Sequence, residues 1–353
     1  MRKIVLTGGG TLGHVTPNIA LLPALKAANY EVIYIGSNYG MEKEIIKKHN
    51  IKYFGISSGK FRRYFSLKNF TDPFRVIKGF FEAKKILQNE KPNLVFSKGG
   101  FVSVPVVLAA KILKIPVIIH ESDMTPGLAN RIASCAATYF CCNFPETFNS
   151  LPKGKTILSG TPIRAFLLNG SAKSGHDFLN LNYEKPIIMI IGGSQGSKII
   201  NDTVRSALPF ILDRFYVVHL CGKGNIDDSL KNTEGYRQYE FISDELPDIF
   251  AASDLVISRA GANAICEILS LKKPNILIPL GFSQSRGDQI LNADSFKKQG
   301  FSYVINEENL TEESLIIGIN TVFSNRLSYI EDMQKASESN SIQIIMDLSL
   351  IHI

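Results

Sequence analysis

The sequence predicts an α/β protein with two doubly wound domains that face each other across a cleft. Three observations support this prediction. Strand patterns alternate with helical patterns, as in parallel sheets covered by helices on both faces. A strand that runs into a glycine-rich turn opens the chain, and the same pattern starts again at Pro186. The length of 353 residues suits two domains of roughly 100–200 residues each.

The first half begins with the strand Lys3–Thr7, which ends in three glycines before a helical pattern over Asn18–Ala28. The next strand, Glu31–Ile35, ends at Gly36 and Ser37, where no acidic residue clearly stands. Further strand patterns follow at Leu94–Phe96, Val117–His120 and Tyr139–Cys142. Because ligands bind beyond the carboxyl ends of strands in open α/β sheets, the strand ends are where chemistry is expected.

The second half begins with an apolar strand over residues 186–191 that runs into a glycine-rich turn over residues 192–197. The polar stretch Asn169–Asn182 before it is predicted to be a loop. Further strand patterns follow at Tyr216–Cys221, Leu255–Ser258 and Asn275–Pro279.

We place the join between the domains near Ser159–Pro162. The predicted domains are residues 1–161 and residues 162–330. Residues 331–353 are predicted to be partly helical and to cross back onto the first domain.

Composition limits the class of protein. Hydrophobic residues make up 45% and charged residues 20% of the chain, which argues against disordered, collagen-like and coiled-coil proteins. The five cysteines show no Cys-x-x-Cys pair and no zinc-site spacing, which indicates a reduced, cytosolic compartment. The N-terminus lacks the long apolar region of a signal peptide. Charged residues and prolines interrupt the most apolar stretch, Val104–Ile119, so no membrane span is predicted.

The net charge of +7 and the pI near 9.0 indicate an anionic partner: nucleic acid, a phosphorylated metabolite or an acidic membrane surface. Residues 60–85 interleave lysines and arginines with aromatic residues. Such a mixture suits nucleic acid or an anionic membrane surface. A buried aromatic face with a solvated basic face is the structural alternative.

The first glycine turn, Gly8–Gly13, lies between a strand and a helix and ends at His14. Glycines let the backbone approach a phosphate, and a helix N-terminus supplies free N–H groups and partial positive charge. An imidazole here can donate to a pyrophosphate or take up a proton. A purely structural turn is the alternative, and the spacing does not match the Gly-x-Gly-x-x-Gly dinucleotide pattern.

A second candidate group, His120, Glu121 and Asp123, stands at a strand end. Ionisable groups are costly to bury, so we expect these to face the cleft, with a carboxylate as a candidate general base. Alternatively, His120 and Glu121 pair and cap the next helix. The pattern lacks the second histidine of a helical zinc site.

The second domain repeats the phosphate-type turn at Gly192–Gly196. The small residues of 258–264 allow a helix N-terminus to meet a diphosphate, and Glu267 in that helix suits the two hydroxyls of a ribose. Residues 285–292 offer amide and carboxylate groups suited to sugar hydroxyls. Structural turns and a solvated helix glutamate are the alternatives.

The chain resembles glycosyltransferase family 28 from Gly8 to about Asn292. The resemblance rests on seven motifs in the family's order: GGGTLGHVTPN, KGGFVSVP, HESDMTPGLANR, GTPIR, GGSQGSKIIN, SRAGANAICE and DQILNA. It implies two Rossmann-like domains in the GT-B arrangement. It also implies inverting, metal-independent transfer of GlcNAc from UDP-GlcNAc to the C4 hydroxyl of the MurNAc unit of lipid I, which gives lipid II.

The resemblance also implies site residues. Acceptor pyrophosphate is expected beside the first glycine turn and His14, and Asn201 and Asn292 match positions that the family keeps polar. Many family members read His-Glu-Gln-Asn at residues 120–123, so a donor contact made by asparagine passes here to Asp123. The remaining donor-side residues are Thr11, Leu12, Gly13, Arg164, Ser194, Ile242 near the uracil, Gly261, Ala262, Asn263, Ala264, Glu267, Asp288 and Gln289.

The expected reaction is a single displacement, in which a general base deprotonates the acceptor hydroxyl as it attacks the anomeric carbon. His14 and Glu121, in that order, are the candidate bases. The sequence contains no Asp-x-Asp motif, so neither a metal nor a cofactor is predicted. The helix N-terminus after Gly261 is expected to stabilise the departing diphosphate, an effect worth ~2.7–4 kcal/mol per donor.

The predicted partners are UDP-GlcNAc, lipid I and the anionic cytoplasmic face of the cell membrane, where the protein binds peripherally. Nucleic acid is not a predicted partner. Three alternatives remain: a GT-B glycosyltransferase with another lipid or natural-product acceptor, a UDP-GlcNAc 2-epimerase, and a nucleic-acid-binding protein. The epimerase leaves residues 60–85 without a use, and nucleic-acid binding leaves the paired glycine turns and Glu267 unexplained.

Overall fold

The computed structural model describes residues 2–59, 68–151, 153–193, 195–282, 287–336 and 340–351, except for the side chains of 68–71. It divides into two compact units. The first unit comprises Met1–Arg164 and Ser339–Ile353, and the second comprises Ala165–Glu338.

Within its described residues, the first unit is built on a seven-stranded parallel sheet. Its strands are β1 (Arg2–Thr7), β2 (Tyr30–Ser37), β3 (Lys52–Ile56), β4 (Leu94–Ser97), β5 (Val117–Glu121), β6 (Tyr139–Cys142) and β7 (Thr156–Leu158). Its helices up to Arg164 are α1 (Thr16–Ala27), α2 (Glu42–Lys47), α3 (Lys68–Glu90), α4 (Ser103–Ile112), α5 (Leu128–Ala133) and α6 (Pro145–Ser150). The strand order is β3-β2-β1-β4-β5-β6-β7.

The central strands of this sheet are buried on both faces because helices cover both. Side chains alternate between the faces along each strand. Val5 and Val95 pack with apolar residues of α3, α4 and α5, whereas Leu6 and Phe96 pack with those of α1 and α2. Continuous apolar strands are typical of parallel sheets covered in this way.

Within its described residues, the second unit is built on a six-stranded parallel sheet. Its strands are β8 (Ile187–Ile191), β9 (Tyr216–Leu220), β10 (Tyr236–Tyr239), β11 (Leu255–Ser258), β12 (Asn275–Leu277) and β13 (Tyr303–Val304). Its helices are α7 (Ala172–Leu179), α8 (Lys198–Ile211), α9 (Leu246–Ala252), α10 (Ala262–Ser270), α11 (Asp288–Lys298), α12 (Glu312–Ser324) and α13 (Arg326–Lys335). The strand order is β10-β9-β8-β11-β12-β13.

The core of the second unit also has two halves. On one face α8 and α12 pack on Ile188 and Ile257. On the other, α7, α9 and α10 pack on Met189 and Val256. The α/β class with two doubly wound parallel sheets is therefore confirmed.

The last described helix, α14 (Ser341–Leu350), belongs to the first unit. Ile345 and Met346 are buried in the same core as α1. The Ser349 hydroxyl lies 3.0 Å from the Tyr30 hydroxyl, and the Ser341 hydroxyl donates to the Gly160 carbonyl at 3.1 Å. Both ends of the helix are thus fixed to the first unit.

The prediction of a loop over Asn169–Asn182 is wrong, because α7 lies within it. Ser171 caps this helix by accepting a hydrogen bond from the Ser174 amide at 3.3 Å. The helix buries His176 and Leu179 although most of its side chains are polar. A short helix with so few apolar residues is held by the cap and by packing against α9 rather than by its own periodicity.

Candidate functional site

In the first unit, the strand order reverses between β1 and β4. Ligands of open α/β sheets bind beyond the carboxyl ends of the strands at such a point. The first glycine turn leaves β1 at Gly8, and a Lys98-Gly99-Gly100 turn leaves β4. The structure therefore brings both turns to the edge where a ligand is expected.

The two turns approach so closely that side chains would not fit. A Cβ added to Gly8 would lie 2.5 Å from the His14 carbonyl oxygen, and one added to Gly100 would lie 2.3 Å from the Gly9 carbonyl oxygen. Gly10 and Gly100 also have positive φ angles, of 86° and 84°, which favour glycine. The glycines thus set the shape of this edge whether or not a ligand is bound.

His14 is half-buried where a short 3-10 turn, Leu12–His14, leads into α1. Its Nδ1 lies 3.0 Å from the Gly9 carbonyl oxygen and 3.2 Å from the Thr11 hydroxyl. Because a carbonyl oxygen only accepts, Nδ1 carries the ring proton and Nε2 keeps its lone pair. Burial lowers the pKa of His14, and the nearby charge of Lys98 lowers it further. The neutral ring is therefore suited to accept a proton at Nε2.

Lys98 also lies at this edge, and no role for it was predicted from the sequence. It is buried, and its ammonium group donates to the Ser122 hydroxyl at the end of β5. Its amide donates to the Thr7 carbonyl at 2.9 Å. A lysine just after a predicted strand and directly before a glycine pair was the available signal. Lys98 places positive charge beneath both turns.

Glu121 is buried at the end of β5, and its carboxylate accepts three hydrogen bonds from the loop that follows. The donors are the Asp123 amide at 3.1 Å, the Gly127 amide at 2.9 Å and the Asn130 side chain at 2.9 Å. His120 does not pair with it, because its Nε2 lies 2.7 Å from the Gly160 carbonyl oxygen. The described contacts of Glu121 therefore position its own loop.

The other predicted residues of the first unit lie at or near this edge. Thr11 and Leu12 are exposed in the first turn, and Gly13 is partly exposed. Asp123 is half-buried and its charge reaches His14. Arg164 is half-buried and is the last residue of the first segment of this unit.

In the second unit, the order reverses between β8 and β11. The glycine turn of residues 192–196 leaves β8, and a turn of small residues leaves β11 at Arg259. Ser194, predicted to contact the donor, lies outside the described residues. The second unit thus repeats the arrangement of the first, with two turns at the reversal.

Arg259, to which the sequence also assigned no role, joins the loops of this edge. Its guanidinium donates to the Ser197 hydroxyl at 2.6 Å and to the Ile278 and Pro279 carbonyls at 3.2 and 3.4 Å. It also forms an ion pair with Glu307. Ser197 is the N-cap of α8, so one side chain fixes the ends of several strands relative to that helix.

The turn after Arg259 leads directly into α10, whose N-cap is Gly261 and whose first residues are Ala262, Asn263 and Ala264. Small residues at a helix N-terminus let a ligand approach the first backbone amides, and these amides with the helix dipole favour an anion. Glu267 is buried further along the same helix. A diphosphate at this helix N-terminus stays a prediction.

Helix α11 follows the loop after β12, and its first residues are Asp288 and Gln289. The Gln289 side-chain oxygen accepts from the Leu280 amide at 3.0 Å. Asn292 is fully buried and donates to the Ala260 carbonyl at 3.3 Å. Asn292 therefore holds α11 against the turn that precedes α10, and Gln289 holds it against the loop after β12.

Asn201 and Ile242 are both buried. Asn201 is buried below the 192–196 turn, where it donates to the Cys221 carbonyl at 3.0 Å. Its side-chain oxygen lies 3.0 Å from Nε2 of His219. Ile242 is buried in the core beside α9, beyond the edge strand β10. The substrate contacts of both residues stay predictions.

No group of three or more histidine, cysteine, aspartate or glutamate side chains arranged to hold a metal ion occurs among the described residues. The charged groups at the two edges are instead bound to backbone and side-chain partners of the protein. Together the two edges offer a ligand backbone amides and a few hydroxyl and amide groups. The first unit adds the neutral imidazole of His14.

Two family models match the chain. The glycosyltransferase family 28 N-terminal domain matches residues 4–141, and the family 28 C-terminal domain matches residues 187–348. The first match covers β1 to β6, and the second begins at β8. Together they cover well over half of the chain and include both glycine turns.

Similar proteins agree with these matches. A relative from Lachnospira eligens is 60% identical over 348 residues, 99% of this chain and 98% of the relative. Its name is UDP-N-acetylglucosamine–N-acetylmuramyl-(pentapeptide) pyrophosphoryl-undecaprenol N-acetylglucosamine transferase. A relative of the same name from Lachnoclostridium phytofermentans is 59% identical with the same coverage. The crystal structure of Acinetobacter baumannii MurG is 26% identical, covers 99% of this chain and all of its own, and has a TM-score of 0.78.

Proposed function

The chain belongs to glycosyltransferase family 28, and from that premise we propose that it transfers GlcNAc from UDP-GlcNAc to lipid I. Lipid I is undecaprenyl-pyrophosphoryl-MurNAc-pentapeptide, and transfer to the C4 hydroxyl of its MurNAc gives lipid II for peptidoglycan synthesis. Identity of 60% over 99% of the chain with a relative named for this reaction carries the proposal.

His14 is the proposed general base. The Gly9 carbonyl holds its proton on Nδ1, which leaves Nε2 to take the proton of the acceptor hydroxyl. Its lowered pKa keeps the ring neutral at neutral pH. As the proton leaves, the hydroxyl oxygen attacks the anomeric carbon opposite the departing UDP, so one in-line displacement inverts that carbon. Glu121 then acts by holding the β5–α5 loop, because its carboxylate is already occupied by that loop.

The leaving UDP carries the charge that develops in this displacement. The backbone amides at the start of α10, with the helix dipole, face that charge in the proposal. Arg259 and Asn292 hold the turn before α10 and so keep these amides in place. Glu267 in the same helix is the proposed partner of the ribose hydroxyls.

The test is transfer of radiolabelled GlcNAc from UDP-GlcNAc to a lipid I analogue by the purified protein. We expect His14→Ala to reduce turnover by roughly 10²–10⁴-fold, the usual contribution of a general base, and to leave the affinity for UDP unchanged. His49→Ala, which changes an exposed histidine of the same unit, is the matched control. Equal losses of turnover and UDP affinity in His14→Ala would show that His14 is not the base.

We further propose that α3 binds the anionic cytoplasmic face of the membrane that carries the acceptor. Phe74, Ile77 and Phe81 are exposed on α3 at helical spacing, with relative exposures of 74%, 55% and 62%. Exposed basic residues, Arg75, Lys78 and Lys85, lie between and beside them. Residues 60–67, the start of the predicted basic and aromatic stretch, lie outside the described residues.

Exposed apolar side chains flanked by basic ones suit an interfacial helix on an anionic surface. Helix α4, which packs on α3, also exposes Ile112 and Lys111. In the described part of the chain, no helix has the length and apolar character needed to span a bilayer. The exposed apolar and basic side chains of α3 support attachment at the surface of a bilayer.

A further inference from the structure

One peptide group separates His14 from a buried carboxylate. The Gly9 carbonyl accepts from Nδ1 of His14 at 3.0 Å, and the Gly10 N–H of the same peptide group donates to Oε2 of Glu42 at 3.4 Å. The other carboxylate oxygen of Glu42 accepts from the Ser37 amide at 2.9 Å. The Gly9–Gly10 peptide therefore has the imidazole at one end and the carboxylate at the other.

The chain makes room for this carboxylate with three glycines. A Cβ added to Gly9 would lie 2.6 Å from the Glu42 carboxyl carbon, and one added to Gly40 would lie 2.1 Å from its oxygen. A Cβ on Gly36 would lie 3.0 Å from Cγ of the same side chain. Glu42 has no solvent exposure. Gly9 and Gly40 face the carboxylate, and Gly36 faces the methylene next to it and the Tyr53 hydroxyl. A side chain at any of the three would crowd Glu42, which indicates that its position is specified.

We propose that Glu42 is a positioning residue that acts on His14 through the Gly9–Gly10 peptide group. A carboxylate that accepts from the peptide N–H draws the N–H toward itself and makes the carbonyl oxygen a stronger acceptor. Chains of hydrogen bonds strengthen one another by ~10–30% per bond. The stronger carbonyl holds the His14 proton on Nδ1 and the lone pair on Nε2. The arrangement follows the logic of a triad, in which a carboxylate orients the histidine, with a peptide group inserted between them.

Other charges also face His14, and the test must separate them. Lys98 lies behind the turn and Asp123 lies on the β5–α5 loop. Lys98 lowers the pKa of His14, whereas Asp123 and Glu42 raise it. Among the described hydrogen bonds of these three groups, those of Glu42 join it to the ring through the Gly9–Gly10 peptide group. Removal of its charge therefore changes both the pKa of His14 and its tautomer, and the tautomer is the specific signature.

The experiment compares Glu42→Gln with Glu44→Gln, which removes an exposed carboxylate from the same helix. Two-bond ¹H–¹⁵N spectra of the histidine ring, assigned by the loss of its signals in His14→Gln, report the tautomer. We expect the proton on Nδ1 in the unaltered protein and an increased Nε2–H population in Glu42→Gln. We also expect kcat to fall about tenfold, the loss of roughly one charge-assisted hydrogen bond, with KM for UDP-GlcNAc unchanged. The acid limb of the pH profile moves to lower pH.

Glu42→Asp retains the charge but shortens the side chain, and it gives the second reading if Glu42→Gln does not fold. The tautomer should shift there too, because the shorter carboxylate no longer reaches both amides. Two results would overturn the proposal. One is that His14 of the unaltered protein carries its proton on Nε2, and the other is that His14 has the same tautomer in the Glu42 variants as in Glu44→Gln. The proposal rests on His14 as the base, but the spectra need no turnover. If the protein fails to transfer GlcNAc but its His14 tautomer depends on Glu42, the proposed function is refuted. The positioning of His14 by Glu42 through the Gly9–Gly10 peptide group would still hold.

Discussion

The buried histidine His219 is kept neutral by its burial. His219, inside the second unit, lies 2.9 Å from the Tyr236 hydroxyl through Nδ1 and 3.0 Å from the Asn201 side-chain oxygen through Nε2. The Asn201 amide nitrogen donates to the Cys221 carbonyl, so its oxygen faces the histidine and accepts. His219 therefore carries its proton on Nε2 and accepts from Tyr236. A second proton, on Nδ1, would require the Tyr236 hydroxyl to turn and accept instead of donate.

This arrangement predicts a pH dependence of stability. Burial, with the charge of Arg205 adding to it, lowers the pKa of His219 to about 3, whereas an unfolded histidine has a pKa near ~6.5. Between these values the unfolded chain binds a proton that the folded chain does not. The free energy of unfolding therefore falls as the pH falls from ~6.5 toward 3, by ~1.4 kcal/mol per unit of pKa difference.

Urea denaturation at a series of pH values in this range tests the prediction. His219→Gln keeps the hydrogen-bonding capacity but does not titrate, so its stability should fall less steeply over the same range. Both proteins contain the same carboxylates, and the difference between their slopes isolates His219. Parallel slopes would contradict the prediction.

At the residue scale, the sequence predicted the positions of the glycine turns and of His14. Each turn is a run of glycines between a strand pattern and a helix pattern, which is visible in the local sequence. It could not predict Glu42. No acidic residue stands clearly at the end of β2 in the sequence. In the structure, however, the Glu42 carboxylate accepts a hydrogen bond from the Ser37 amide at that strand end. Glycines at positions 9, 36 and 40 make this possible only after three segments have come together. Contacts of this kind arise from tertiary packing and leave no local pattern.

At the element scale, the nine predicted strands are all present, with ends that differ by a few residues at most. The strands that the sequence did not predict are β3, β7, β10 and β13, and these are the edge strands of the two sheets. Central strands are buried on both faces and form continuous apolar runs. Edge strands here are short or carry polar residues, such as Arg237 and Gln238 in β10. Burial in the sheet, rather than strand propensity, therefore determined which strands were predictable.

The exposed face of α3 carries a prediction of its own. If the helix docks on a bilayer, replacing Phe74 and Phe81 by serine removes apolar area from the contact at ~25 cal/mol per Å². We expect the double variant to sediment much less with vesicles that contain phosphatidylglycerol. Phe210→Ser, at an exposed phenylalanine of the second unit, is the control and should bind as the unaltered protein does.

Salt separates the two contributions to this binding. The basic residues of α3 attract an anionic surface through charge, and salt screens this attraction beyond ~10 Å at 0.1 M. The phenylalanines contribute by burial of apolar area, which salt does not screen. High salt or neutral phosphatidylcholine vesicles should therefore weaken binding of the unaltered protein. Binding that ignores lipid charge, salt and both phenylalanines would contradict docking by α3.

At the scale of the whole molecule, each unit has its own network at its own sheet edge. His14, Glu42 and Lys98 interact within the first unit, and Arg259, Ser197 and Asn292 within the second. In the proposed function the first network serves the proton transfer and the second serves the donor diphosphate. The two substrates of the reaction therefore depend on different units for different steps.

This division predicts that substitutions sort by unit. Arg259→Met removes the bonds that hold Ser197 and the loop after β12, and hydrogen bonds to a charged group contribute ~1.5–3 kcal/mol each. We expect the affinity for UDP to fall about tenfold or more, with KM for UDP-GlcNAc rising more than kcat falls, the reverse of His14→Ala. Calorimetric titration with UDP and steady-state transfer kinetics measure the two effects separately. Arg214→Met, which loses an exposed bond to Asn320 and a contact over the Phe215 ring, controls for loss of an arginine in the same unit. If Arg259→Met instead lowers kcat at unchanged UDP affinity, the second unit does more than hold the donor, and the assignment of proton transfer to the first unit alone is wrong.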